Sequence, residues 1–370
     1  MNKNTNSRDQ IIDFMKGIAI ISIMLCHSSQ VIEGINGIVK TVCSFGQLGC
    51  QLFFFFTGFL IMKNYENGKK DSYKSIINKK LYNVLIPWYI AIILFFVATK
   101  LCGSIYSDFS YLSNTTISAI IINCLFINGL VPFANNNVVF GGWYLGTLVV
   151  IWFLIPVVLK LYNKYKEKAL IILILVCVTV MICIGIIWDS SYVDRNGFWY
   201  FSFINQLPCV LYGMLFACRH NSDVGKRNKL VRGALCIIFS IVVVVLFRFR
   251  IAFSACVYPV LVSYITGEIF AFLNKYKNTI EDHLGFRIIA HYGNNSLYIY
   301  LIHILFIWYL QKIVWIEFFS SFMNDTLFFF AYIMFAFLLV LFAGIMLRKL
   351  CSCIYLAFAK IDIFGTKAKE

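Results

Sequence analysis

Two ionisable residues in the first apolar stretch of the sequence are spaced so that they can act together. Lys16 is followed by ten residues and then by His27. A helix turns by about 100° per residue, so the two side chains share one face and lie about 16 Å apart along the axis. A cation and an imidazole on one helix face are suited to lining a path along that helix, and ionisable groups among apolar residues favour a functional role.

A structural role for the same residues is the alternative. Asp13 precedes Lys16 by three positions and is close enough to pair with it. In that case the two charges neutralise each other, and His27 makes a hydrogen bond between helices. The first helix by itself leaves both interpretations open.

A second polar stripe lies near the end of the sequence. Ser296, Tyr300 and His303 fall at about 0°, 40° and −20° on a helical wheel, which places them on one face. His303 is therefore a second candidate imidazole inside an apolar helix. The remaining three histidines are expected to be ordinary surface residues: His220, His283 and His291.

The elements that carry these residues follow from the composition. The chain has 370 residues, of which 61% are hydrophobic and 13% charged. A soluble protein usually carries about 25% charged residues, so the composition predicts an all-α, polytopic transmembrane helical bundle. About ten stretches reach the length of roughly 20 residues needed to span a bilayer. They are 11–28, 44–62, 81–99, 142–161, 168–188, 198–217, 230–248, 251–272, 294–314 and 326–347.

The distribution of basic residues predicts the topology. With the N-terminus in the cytoplasm, the cytoplasmic segments hold 25 of the 32 lysines and arginines, as the positive-inside rule requires. Ten spans then place both termini in the cytoplasm. We expect a transmembrane domain over 1–350, followed by a short basic cytoplasmic tail over 351–370. A further apolar patch over 117–130 is predicted to be an interfacial or re-entrant helix.

The net charge of +15 restricts the partners. Basic loops attract anionic lipid headgroups, or they bind an anionic cytosolic substrate such as a nucleotide-bearing cofactor. Nucleic acid is not expected as a partner, because the basic residues are divided among six segments instead of forming one face. The sequence contains no CxxC pair, phosphate loop, dinucleotide fingerprint, serine-hydrolase motif or zinc-protease motif. We therefore expect no metal.

Three further features each have a structural and a functional interpretation. Lys79 and Lys80 directly precede the third span, as a cytoplasmic anchor or as a contact for an anion. Trp143 opens the fourth span as an interfacial anchor, or the asparagine-rich loop before it binds sugar hydroxyls. Small residues in the second span are expected to let another helix approach closely: Gly46, Gly49 and Gly58.

Five short patterns in chain order resemble the acyltransferase-3 family of integral-membrane O-acyltransferases, in particular its polysaccharide O-acetylase branch. They are Lys16 and His27; Gly46 to Phe59, with Thr57 in place of serine; Lys79 and Lys80 before Leu85-Ile-Pro87; Trp143 and Leu145 with Pro156; and Ser296, Tyr300, Leu301 and His303. The patterns cover nearly the whole chain. Lys16 departs from the family's commoner arginine, which keeps the charge but loses the bidentate fork. Leu148 stands where some members carry glutamate.

The resemblance implies a membrane O-acyltransferase in a bacterial cytoplasmic membrane. It would move an acyl group, most simply acetyl from cytosolic acetyl-CoA, to a hydroxyl of a cell-envelope glycan or glycolipid. His27 would act as a general base or hold the acyl group transiently. His303 and Tyr300 would shape the site or donate a hydrogen bond to the oxyanion. The remaining implied contacts are Lys16, Lys79 and Lys80 to the donor, and Asp13, Trp143 and Ser296 to substrate.

Two other functions are compatible with ionisable residues inside apolar helices. A secondary transporter or flippase for a sugar or lipid-linked intermediate would use them too, although such folds often show inverted repeats and broken helices. A non-enzymatic membrane sensor or assembly partner would have no site for a cytosolic acyl donor. The identity of the acceptor, the choice between acetyl and another short acyl group, and the oligomeric state all stay open at this point.

Overall fold

The computed structural model describes residues 9–32, 34–68, 73–105, 116–130, 138–193, 198–220, 229–307 and 325–360. All regular structure in these residues is helical, so the predicted all-α class is confirmed for them. Nine helices within them are long and apolar enough to cross a membrane. Their apolar spans are Gln10–Val31, Gly37–Glu66, Asn83–Leu101, Trp143–Tyr165, Glu167–Ile187, Trp199–His220, Leu230–Phe249, Ser254–Lys275 and Thr326–Ala357. The chain is therefore a multi-pass membrane protein.

The α-helices are numbered in chain order. The first eight are α1 (Gln10–Val31), α2 (Gly37–Ser44), α3 (Gly49–Glu66), α4 (Tyr73–Ile105), α5 (Ile117–Cys124), α6 (Trp143–Tyr165), α7 (Glu167–Ile187) and α8 (Ser190–Val193). The others are α9 (Phe203–His220), α10 (Lys229–Phe249), α11 (Ser254–Lys275), α12 (Lys277–Ile280), α13 (Leu284–Asn294), α14 (Ser296–Ile304) and α15 (Asp325–Lys360).

Three elements differ from the predicted spans in length. α4 has 33 residues and continues through Pro87. α15 has 36 residues and ends at Lys360, so the first part of the predicted tail is helical. The predicted span 294–314 is described only as far as Ile307, as a shorter apolar helix. Its remaining residues lie outside the described part of the chain.

The patch over 117–130 forms a short helix followed by a turn. Thr116 caps α5, since its hydroxyl accepts a hydrogen bond from the amide of Ala119 at 3.2 Å. Phe126 has a positive φ of 57° and ends the helical path before a single 3₁₀ turn over Ile127–Gly129. Eight residues of helix are too short to cross a bilayer. This agrees with the prediction of a helix that does not span.

The chain divides into two compact units. The first unit comprises residues 1–26, 41–69 and 155–296. Helices in its core cross closely at glycines, as predicted from the small residues of the second span. A Cβ at Gly46 would overlap the carbonyl of Ser22 in α1, and a Cβ at Gly58 would overlap the carbonyl of Val210 in α9. Only glycine permits these backbones to approach so closely.

A group of buried amides, here called the amide cluster, lies inside the first unit. It consists of Gln51, Asn205 and Gln206 around Tyr200. The Gln51 amide donates to the Tyr200 hydroxyl at 2.8 Å and to Gln206 Oε1 at 3.4 Å. The amides of Asn205 and Gln206 both donate to the Tyr200 carbonyl, at 3.1 and 2.7 Å. These bonds connect α3 to α9 within the apolar interior.

The second unit comprises residues 27–40, 70–154 and 297–370. The Trp88 indole in α4 donates a hydrogen bond to the carbonyl of Asn123 at 2.9 Å, which fixes the end of α5. Gly129 lies directly against the backbone of Gly146 in α6. The segment over 117–130 is therefore held against α4 and α6. The Tyr332 hydroxyl in α15 donates to the carbonyl of Ile307 at 2.6 Å.

Candidate active site

The second unit brings together the two imidazoles that the sequence singled out. The rings of His27 in α1 and His303 in α14 have centroids 5.3 Å apart and are tilted by 44°. His303 is 0% exposed, and His27 is half-buried. The two histidines are 276 positions apart in the sequence, so this contact is produced by the fold. We call them the histidine pair.

The hydrogen bond of His303 determines which of its nitrogens carries the proton. His303 Nδ1 lies 2.6 Å from the carbonyl oxygen of Tyr300. A carbonyl only accepts, so Nδ1 carries the hydrogen, and in the neutral ring Nε2 keeps its lone pair. Nε2 is buried and has no hydrogen-bond partner among the described residues. A neutral His303 in this geometry offers a proton acceptor and no donor at Nε2.

The same reasoning applies to His27. Its Nδ1 lies 3.0 Å from Oε1 of Gln30, one helical turn further along α1. With that amide oxygen as acceptor, Nδ1 carries the hydrogen and Nε2 is again the basic nitrogen. An imidazole oriented through Nδ1, with its Nε2 available, is the arrangement that a general base requires.

The Tyr300 side chain connects α14 to the turn at Gly141. Its hydroxyl donates to the carbonyl of Gly141 at 2.6 Å, and its ring packs edge-on against Tyr144 with centroids 5.2 Å apart. The hydroxyl proton is therefore engaged by Gly141, and both predicted roles of Tyr300 stay predictions. Gly141 has a φ of 76°, a backbone conformation that favours glycine.

Trp143 follows the Gly141 turn and is buried, with its ring against Tyr144. An interfacial anchor would face the membrane surface, so burial favours a role inside the unit. The amide of Asn128 reaches the carbonyl of Gly142 at 3.5 Å and holds this turn to the segment after α5. The asparagine-rich loop itself, over 131–137, lies outside the described residues.

The other predicted site residues are placed separately. Asp13 is buried and Lys16 half-buried, both in α1 within the first unit. Ser296 begins α14, is buried and belongs to the first unit. Lys79 and Lys80 belong to α4, of which only the backbone is described at these two positions. The structure thus brings together His27, Tyr300 and His303, and the roles of all the predicted site residues stay predictions.

Comparison with known proteins supplies the decisive observation. A family model for the acyltransferase domain (Acyl_transf_3) matches residues 9–347, which is nearly the whole chain. The chain belongs to the acyltransferase-3 family. A comparison with curated proteins finds no match. The family match covers both members of the histidine pair, and it supports acyltransferase activity in a membrane.

The surroundings of His220 differ from those predicted from the sequence. His220 was expected to be an ordinary surface residue, and that expectation is wrong. His220 ends α9, is half-buried, and stacks on Phe216 with centroids 5.2 Å apart and an angle of 25°. It also lines two cavities in the first unit. An aromatic residue four positions earlier on the same helix was the available signal.

Ion pairs near His220 were not predicted either. Arg219 pairs with Glu167 at 2.7 Å, and Arg232 pairs with Glu268 at 2.8 Å. Each pair connects residues far apart in the sequence, so no local sequence pattern indicates it.

Proposed function

We propose that this acyltransferase moves an acetyl group from cytosolic acetyl-CoA to a hydroxyl of a cell-envelope glycan or glycolipid, in a bacterial cytoplasmic membrane. The observation that carries the proposal is the histidine pair. Two imidazoles in contact, each with Nδ1 engaged and Nε2 basic, provide the proton acceptor that O-acylation of a hydroxyl needs. A cytosolic donor would approach from the side that the positive-inside distribution predicts to be cytoplasmic.

In the proposed reaction, His27 accepts a proton and later returns it. His27 Nε2 takes the proton of the acceptor hydroxyl as that oxygen attacks the thioester carbonyl carbon. The tetrahedral intermediate then collapses, and the carbon–sulfur bond breaks. The CoA sulfur leaves and takes the proton back from the His27 imidazolium, so the base is regenerated. Products are the O-acetyl ester and free CoA.

His303 has a different part in this proposal. Its Nε2 accepts a hydrogen bond from the acceptor hydroxyl or from the protonated partner ring. The two rings do not carry a charge at the same time, because like charges in a low-dielectric interior repel strongly. His303 therefore keeps its lone pair while His27 carries the proton, and it holds the polar groups of the reaction beside His27.

Gln30 and Tyr300 act on the pair indirectly. Gln30 accepts from His27 Nδ1 and so fixes the tautomer of the base. Tyr300 provides the carbonyl that orients His303, and its hydroxyl holds the Gly141 turn. In the proposal, Lys16, Lys79 and Lys80 contact the donor. Asp13, Trp143 and Ser296 contact substrate.

The test uses inverted membrane vesicles, in which the cytoplasmic face is accessible. Acetyl-labelled acetyl-CoA is supplied to wild type, to His27→Ala and to the control His291→Ala, which removes an exposed histidine of α13. Label is followed into the glycan fraction of the same membranes, together with the release of free CoA. We expect transfer in wild type and control, and its loss in His27→Ala. Full transfer by a correctly inserted His27→Ala variant would overturn the assignment.

A further inference from the structure

Two adjacent glycines of the second unit lie against two different helices. They belong to the turn before α6, which is closed by a hydrogen bond from the Gly142 amide to the Val139 carbonyl at 2.9 Å. A Cβ at Gly142 would lie 2.5 Å from Cη2 of Trp88 in α4. A Cβ at Gly141 would lie 3.2 Å from Cδ1 of Ile304 in α14. The turn therefore touches α4 through one glycine and α14 through the next.

Trp88 is itself held in place on two sides. It is 0% exposed, and its Nε1 donates a hydrogen bond to the carbonyl of Asn123 at 2.9 Å. Its ring stacks on Phe126 with centroids 5.6 Å apart and an angle of 25°. A buried ring held at its nitrogen and at its face cannot turn away from Gly142 without losing these contacts. Trp88 therefore limits how closely the turn can approach α4.

On the side of α14, the turn is bonded to a residue that contacts the histidine pair. The Tyr300 hydroxyl donates to the carbonyl of Gly141 at 2.6 Å. The Tyr300 carbonyl accepts from Nδ1 of His303 at 2.6 Å, and the two rings have centroids 5.4 Å apart. Hydrogen bonds weaken steeply when their distance and angle change. A small displacement of Gly141 is therefore expected to move Tyr300 and, with it, His303.

We propose that Trp88 is a positioning residue for the acyltransferase reaction. Its ring fixes the position of Gly142 and, through the backbone, the carbonyl of Gly141. That carbonyl holds the Tyr300 side chain, and Tyr300 orients His303. The inference rests on the proposed function, because it assigns to Trp88 an effect on proton transfer at the histidine pair. Trp88 acts through the turn and takes no part in the proton transfer.

The first test changes the two groups in contact in opposite directions. Gly142→Ala adds a methyl group against the indole, and Trp88→Phe removes the ring atoms nearest to Gly142 while keeping a ring that can stack on Phe126. Each change alone displaces the turn. We expect each to lower kcat for acetyl transfer in inverted vesicles by about three- to tenfold, the effect of one weakened hydrogen bond. KM for acetyl-CoA should match wild type.

The two changes together should compensate. The double variant Gly142→Ala with Trp88→Phe should have a higher kcat than Gly142→Ala, because the methyl group occupies space that the smaller ring leaves. The rescue is expected to be partial, since the added Cβ also lies 2.9 Å from the Val139 carbonyl. Losses that multiply in the double variant would overturn the inference.

The second test determines whether the contact acts through Tyr300. Residues that act in one connected set have non-additive effects. In a Tyr300→Phe background, which lacks the hydrogen bond to Gly141, Gly142→Ala should therefore change kcat very little. Equal losses in the two backgrounds would contradict the proposal. If Gly142→Ala does not insert, Trp88→Phe in the same two backgrounds measures the same coupling.

The matched control is a similar overlap in the first unit. Gly185→Ala would place a Cβ 2.6 Å from Cε1 of Phe253, so it also forces a methyl group against an aromatic ring. Rates are expressed per folded protein, measured as the monodisperse fraction in size-exclusion chromatography. Gly185→Ala should lower the yield of folded protein and leave kcat unchanged. A loss of kcat equal to that of Gly142→Ala would show a general packing effect and overturn the inference.

A spectroscopic measurement separates this inference from the proposed function. If wild type transfers no acetyl group, the proposed function fails, and NMR of the full chain with isotopically labelled histidine rings then tests the contact alone. The His303 ring signal is identified by its loss in His303→Gln. We expect Gly142→Ala and Trp88→Phe to shift this signal, because the hydrogen bond at Nδ1 changes, and Gly185→Ala to leave it in place. A His303 signal that is unchanged in both variants overturns the inference.

Discussion

The histidine pair of the second unit and the amide cluster of the first unit are both polar groups buried among apolar helices. His303, Gln51 and Gln206 are each 0% exposed. Both groups also leave buried atoms without hydrogen-bond partners among the described residues. In the histidine pair the atom is His303 Nε2, and in the amide cluster the atoms are the side-chain oxygens of Gln51 and Asn205.

The difference lies in what the unpartnered atoms can do. An imidazole nitrogen can take up a proton, whereas an amide oxygen only accepts a hydrogen bond. The histidine pair is therefore suited to proton transfer, and the amide cluster is suited to fixing the register of α3 against α9. Burial of a polar group inside a membrane protein is thus weak evidence of catalysis until its proton chemistry is considered.

The largest expected effect is on the activity of the histidine pair. His27→Gln keeps the size and polarity of the side chain but removes the base, so transfer should fall by about 10²- to 10⁴-fold. The thermal unfolding temperature in detergent should stay within a few degrees of wild type. Rates are measured by CoA release in vesicles with matched protein levels. Activity above half of the wild-type rate would remove the distinction between the histidine pair and the amide cluster.

The second effect is on stability and belongs to the amide cluster. Gln206→Leu removes the donor to the Tyr200 carbonyl and the acceptor for Gln51. The unpaired groups left behind should lower the free energy of unfolding by about 1–3 kcal/mol. The correctly folded fraction should retain wild-type specific activity. Thermal unfolding and transfer assays on the same preparation check the stability and the specific activity. A loss of activity without a loss of stability would contradict the structural role.

A smaller effect is expected at Tyr300. Tyr300→Phe removes the hydrogen bond to the Gly141 carbonyl, which is worth about 0.5–1.5 kcal/mol, so transfer should decline by no more than about tenfold. The backbone carbonyl that orients His303 is retained. The control Tyr298→Phe alters a half-buried tyrosine of the same helix and should leave the rate unchanged. A loss as large as that of His27→Gln would instead make the Tyr300 hydroxyl a catalytic group.

The smallest effect is expected at Gln30. Gln30 is exposed, so water can replace its amide oxygen when Gln30→Ala is made. We expect kcat to decrease by a few-fold, in line with one neutral hydrogen bond, while KM for acetyl-CoA stays constant. Steady-state kinetics over a range of donor concentrations separate these constants. A change confined to KM would show that Gln30 contacts substrate and does not orient His27.

Several features of the fold were predictable because they depend on local composition. The apolar spans, the non-spanning helix over 117–130 and the close crossings at Gly46 and Gly58 all follow from residue types within short windows. Helix ends were less predictable. α4 and α15 extend beyond the apolar windows, since amphipathic and basic residues continue a helix outside the hydrocarbon as readily as inside it.

The sequence by itself determined the all-α membrane class, the family resemblance and the choice of His27 and His303, because each rests on hydropathy or on a spaced motif. The tertiary structure alone decided that the two rings are in contact and that His220 lines two cavities. The ring contact joins α1 to α14, and the cavities are lined by residues of several helices that are distant in the sequence. Helical periodicity assigns a residue to a face, but only packing determines which other face it meets.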